Sequence, residues 1–201
     1  MKRYVHTCLL FALLVWSSCN PSSLSPADYM AWVRNDDNGL RVEKVIDQYT
    51  FSLQYKPFEY EALQELGPAK ATRSSVEAKR AMYDSTQYFT LHIKSGNHQE
   101  VLNTNGNALE QAQWLEYFMG PAQDDILLVD GKDTLPCILY HFERSYNLDN
   151  GNAIVLGFEK TSRSHTGDKE IIYNDQVLET GPVHFTISQA AIQKIPQIRY
   201  E

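Results

Sequence analysis

The chain has 201 residues, 43% of them hydrophobic and 21% charged, which is enough apolar material for one core and too little for several. Acidic residues outnumber basic ones, 25 to 18, giving a formal net charge of −7. That balance disfavours nucleic acid or another polyanion as a partner.

At the N-terminus, Lys2 and Arg3 precede an unbroken apolar run over 8–16 that ends at Ser17-Ser18-Cys19. A signal-peptide core needs ~7–15 apolar residues and a membrane-spanning helix ~20, so residues 1–18 predict an export signal and not a span. Val15-Trp16-Ser17-Ser18-Cys19 resembles the lipobox of bacterial lipoproteins, with Trp16 where an aliphatic residue is usual. The resemblance implies that Cys19 is acylated and becomes the first residue of the mature protein. An ordinary signal peptide cleaved near Ser18 is the alternative. Asn20, in place of Asp, resembles the outer-membrane sorting pattern, so the expected location is the bacterial cell envelope, lipid-anchored in the outer membrane. Residues 19–27, with two prolines and three serines, predict a lipid-anchored tether, and 28–201 a single globular domain. With Cys8 removed and Cys19 acylated, Cys137 has no disulfide partner and reads as a small buried hydrophobe.

Asn35-Asp36-Asp37-Asn38-Gly39 invites a calcium reading, but an EF-hand register would put Arg34 at the first ligand position, so a polar turn is expected. Tyr49, Phe51, Leu53 and Tyr55 alternate with polar residues as a half-buried strand does. Phe58, Ala62 and Leu66 then recur at helical spacing up to Gly67-Pro68, and Ser74-x-x-Glu77 has the capping-box pattern for a second helix. Phe89, Leu91 and Ile93 alternate as another strand. Asn107 with Glu110 predicts the start of a third helix, which Gly120-Pro121 ends. A hairpin is expected over 126–142, with Asp130-Gly131 in its turn and Leu127, Val129, Leu135 and Leu139 on its core face. Further strands are predicted over 153–158, 171–173 and 183–187, and Ser188 as the cap of a last helical turn. Strands interrupted by separate helices, without βαβ alternation, predict an α+β domain: a mostly antiparallel β-sheet or sandwich with three to four short helices.

No sequence constellation completes a catalytic or metal site. His141-Phe142-Glu143 matches the H-x-E half of a zinc deaminase, but Pro136-Cys137 precedes it and lacks a second cysteine. Neither H-E-x-x-H, G-x-S-x-G nor a phosphate-binding glycine motif occurs. The expectation is therefore no metal, no cofactor and no assigned catalytic residue, although distant side chains can still be assembled by folding. Among the 12 tyrosines, Tyr146 and Tyr173 are candidate partner-binding residues, because exposed rings near loops anchor proteins and glycans. The functional expectation is a lipid-anchored envelope protein, held in the membrane through Cys19, that acts as a non-enzymatic binding or assembly module with a protein or glycan partner. The alternative is a cell-envelope hydrolase acting on peptidoglycan or glycans.

Overall fold

The computed structural model describes residues 23–96, 107–143, 152–162 and 167–200. The first described elements are strand β1 (Ser23–Leu24) and helix α1 (Pro26–Arg34), of which residues 23–27 were expected as tether. The helix forms because Ser25 accepts from the Asp28 amide at 3.2 Å and donates to its carboxylate at 2.7 Å, while Pro26 occupies the first turn, where its missing N–H costs nothing. Ser25-Pro26 is therefore a helix start and not linker composition. Ser23 to Ala27 thus take part in the described fold.

A 3₁₀ turn at Asp36–Asn38 ends on Gly39, whose φ of 74° is left-handed, so the acidic cluster is the polar turn expected of it. Strands β2 (Arg41–Ile46) and β3 (Tyr49–Lys56) follow, then α2 (Phe58–Leu66), α3 (Arg73–Tyr83) and β4 (Thr86–Ser95). The cap of α3 is Thr72 with Ser75, two residues before the predicted pair, whereas α4 (Ala108–Met119) carries both halves of the predicted Asn107/Glu110 capping box. After a 3₁₀ turn at Pro121–Asp125 come β5 (Ile126–Asp130), β6 (Asp133–Glu143), β7 (Asn152–Glu159), β8 (Lys169–Asn174) and β9 (Pro182–Ile187). The short α5 (Gln189–Ile192), capped by Ser188, and β10 (Gln197–Ile198) close the chain.

Eight strands form one antiparallel sheet in the order β2-β3-β4-β7-β6-β5-β8-β9, and its edge strands β2 and β9 meet closely enough to close it nearly into a barrel. The fold is α+β, as expected, and the described residues hold five helices where three to four were expected. Alternate residues point inward: Phe51 and Leu53, Phe89 and Leu91, Ile154 and Leu156, Ile171 and Tyr173, and Phe185 are all fully buried. Phe51 reaches across to Tyr173 at 6.3 Å between ring centroids. The separate pair β1/β10 is parallel and ties the start of the domain to its end, through Ser23 opposite Gln197 and Leu24 opposite Ile198.

The hairpin forms where expected, but with the opposite face inward. Ile126, Leu128 and Asp130 are buried, while Leu127 and Val129 are only half-buried. Asp130 is the last residue of β5, and Gly131, at φ 66°, supplies the left-handed turn position. On β6 the register slips between Cys137 and Leu139, a bulge that leaves Ile138 and Leu139 outside and returns Phe142 to the interior. Leu139 is 39% exposed and is not a core residue.

Candidate functional site

The mouth of the barrel reached by the end of β3 and the starts of β4 and β8 is roofed by α2, α3 and the C-terminal segment. Inside it lies a charge cluster. Lys169 Nζ donates to both Asp130 oxygens at 3.0 Å, and Gln87 Nε2 donates to Asp130 Oδ2 at 2.8 Å and to the Glu159 carbonyl at 3.2 Å. Asp130 has no exposed surface and Lys169 is 2% exposed. Burial pushes the lysine pKa below its ordinary value, opposed by the hydrogen bonds it donates to the Asp130 carboxylate. This pair occupies inward positions on two neighbouring strands, directly opposite each other in the β5/β8 register.

Above the pair is a cavity of about 260 Å³, bounded by Tyr55, Phe58, Glu59, Arg80, Lys160 and Lys169 among others. A second compartment of about 380 Å³ lies between α1, α3 and the C-terminal segment, bounded by Tyr29, Arg73, Val76, Gln197 and Tyr200. Glu59, Arg80 and Ile195 are walls of both. Glu59 is in the first turn of α2, whose leading Pro57 offers no side-chain cap. Burial raises its pKa, opposed by its own backbone amide and by the nearby Arg80 and Lys160. Arg80 stands 3.9 Å from it, beyond hydrogen-bond length. The other acid at the smaller compartment, Asp84, is held by Lys160 at 2.9 Å and lies 3.6 Å from Arg80. Arg80 also lies over the Phe58 ring at 4.0 Å, and Arg73 over the Tyr200 ring at 5.7 Å.

Comparison with protein-family models, with curated proteins and with solved structures returned no match to this chain. The site therefore rests on its own geometry.

The residues singled out from the sequence are not brought together here. Cys19 and Tyr146 lie outside the described residues. Tyr173 is fully buried, inward on β8 and hydrogen-bonded to Asp175 at 3.2 Å, so it is a barrel-core residue and presents no ring to a partner. The reason is the period of the strand: Lys169, Ile171 and Tyr173 share the inward face. Tyr140 is tied to the Phe118 carbonyl at 2.7 Å. Cys137 is buried as expected, and burial pushes its thiol up to about 11, which keeps it protonated and unreactive at neutral pH. His141 and Glu143 are exposed at the end of β6, and among the described residues no group of His, Cys, Asp and Glu could hold a metal ion. Glu59, Arg80, Asp130 and Lys169 had no signal in the sequence: Glu59 reads as an ordinary acid in a helix first turn, and Asp130 as a turn residue.

Proposed function

We propose that this protein is a lipid-anchored, non-enzymatic binding module of a bacterial envelope, acylated on Cys19 and receiving its ligand at the roofed mouth of the barrel. The observation that carries this reading is the two-compartment groove around Glu59, a partly buried carboxyl beyond hydrogen-bond reach of Arg80. The anchor and the groove are close along the chain. Cys19 is four residues from Ser23, at most about 14 Å of extended chain. Ser23 and Leu24 pair with Gln197 and Ile198, which edge the larger compartment. Among the described residues no helix is long and apolar enough to cross a membrane; in this reading the lipid on Cys19 supplies the attachment.

Hydrolysis of peptidoglycan or glycans by two carboxyls needs a second acid able to work beside the first. Asp84 shares the smaller compartment with Glu59 but is engaged by Lys160, which favours binding over turnover. Cys19→Ala is expected to abolish labelling by an alkyne fatty acid and to move the protein from the membrane to the soluble fraction. Label retained in the variant overturns the anchor. Release of reducing sugar from purified peptidoglycan or envelope glycan by the purified protein overturns the non-enzymatic part.

A further inference from the structure

The wall of the larger compartment carries four charged side chains, Glu59, Arg73, Glu77 and Arg80, and two of them satisfy each other. Arg80 donates to the Glu77 carboxylate from Nε at 2.8 Å and from a terminal nitrogen at 3.3 Å, which occupies one fork of the guanidinium. Its other terminal nitrogen lies 3.6 Å from Asp84. Glu59 and Arg73 are left over. Among the described residues no cation donates a hydrogen bond to the Glu59 carboxylate: Arg80 stops at 3.9 Å, and Lys160 donates to Asp84. Arg73 lies over the Tyr200 ring and forms no ion pair with a carboxylate of the described residues, Glu59 included. Both groups are open to a ligand, since the Glu59 side chain is 32% exposed and Arg73 is exposed.

The two open charges have opposite signs and stand on different elements, in the first turns of α2 and α3. Tyr200 is within electrostatic reach of both. This arrangement selects among ligands by charge. A cation would meet Glu59 but face Arg73 and Arg80, and an anion would meet Arg73 but face Glu59 and Glu77. A neutral ligand would leave both groups without a counter-charge. A ligand with an ammonium at one end and a carboxylate at the other meets the two at once, and the guanidinium fork is shaped for a carboxylate. Ile195 and Ile198, half-buried on the same wall, offer apolar contact to whatever joins the two ends.

We infer that the compartment between α1, α3 and the C-terminal segment binds a short peptide with both ends free, its ammonium on Glu59 and its carboxylate on Arg73. This rests on the binding reading above and names the ligand class. A round space of about 380 Å³ is about 9 Å across, and two to three extended residues span ~7–10 Å, so a di- or tripeptide reaches from wall to wall.

The test uses the full acylated chain, purified from envelopes in an uncharged detergent and titrated calorimetrically with the tripeptide Ala-Leu-Ala, its N-acetyl form and its C-terminal amide. The free tripeptide is expected to bind with Kd below about 1 mM. Acetylation removes the ammonium that meets a partly buried carboxylate and should weaken binding at least about tenfold. Amidation acts at the more exposed Arg73 and should weaken it about threefold or more. The variants then match the caps: in Glu59→Gln the free and acetylated peptides should bind alike, and in Arg73→Gln the free and amidated ones. The inference is overturned if the free tripeptide does not bind at about 1 mM, or if either capped form binds the unmodified protein as tightly. It is equally overturned if each cap weakens binding to its matching variant as much as to the unmodified protein. Two further readouts separate this claim from the reading beneath it. Acylated, membrane-bound protein that binds no tripeptide defeats the peptide assignment alone, whereas a tripeptide that binds and is recovered cleaved, by mass spectrometry, defeats the non-enzymatic reading and leaves the site in place.

Discussion

A carboxylate with no exposed surface persists only where its charge is met at close range, and Asp130 is met by one ammonium and one amide inside the barrel mouth. Such a pair contributes little net stability compared with apolar side chains of the same volume, because both ions lost their water on folding. Breaking it is a different matter. Asp130→Ala leaves Lys169 buried without its counter-charge, and the expected loss is about 3–5 kcal/mol, read from the urea unfolding midpoint. The double substitution Asp130→Leu with Lys169→Met should recover most of that loss. A single variant no less stable than the double would mean that the two charges are not jointly buried. The pair also fixes position: it places Lys169 beneath the smaller compartment and aligns β5 with β8, so its cost is coupled to the shape of the groove.

At the scale of the element, the β6 bulge decides which leucines matter. Leu139 lies outside, and its Cβ is pressed toward β7, where a Cβ added at Gly157 would come within 2.9 Å of it and 3.0 Å of Thr86 Cγ2. Gly157→Ala is therefore expected to cost about 1–3 kcal/mol through overpacking, whereas Leu139→Asp should cost less, its carboxylate being open to water. Thermal unfolding of the two variants checks the order; a larger loss in Leu139→Asp would return that residue to the core. The hairpin itself was legible in the sequence, since Gly131 marks its turn and apolar residues flank it. Its facing was not, because residues 126–129 are all apolar and carry no alternation, and the one polar residue that reveals the inward face, Asp130, looks like turn chemistry until Lys169 is seen opposite. Strands β3 and β4 were read correctly because their outer residues are polar. The groove was invisible for another reason: Tyr29, Glu59, Arg80 and Tyr200 come from four segments spread over most of the chain, and no local pattern links them.

For the whole molecule, the distribution of tyrosines makes a statement about pH. Burial raises the pKa of Tyr29, Tyr55, Tyr117, Tyr140 and Tyr173 well above the ordinary value of 10. In the unfolded chain these phenols ionise near pH 10, while in the native state they keep their protons, so above pH 10 the folded form binds more protons than the unfolded one and stability falls as pH rises. Below pH 10 both states are protonated and the contribution is complete. Tyr29 and Tyr173, both fully buried, each subtract about 1.4 kcal/mol per pH unit beyond that point, and a domain has ~5–15 kcal/mol in total. Lys169 works in the opposite sense, its lowered pKa adding stability as pH approaches 10.5, but it is one group against five. The expected result is a urea midpoint that drops steeply above about pH 10. The near-ultraviolet tyrosinate signal should rise in two phases, the exposed rings titrating first and the buried ones only together with loss of the far-ultraviolet circular dichroism. A single smooth tyrosinate titration with the fold intact would show that these hydroxyls reach water, and that the rings are not buried as described.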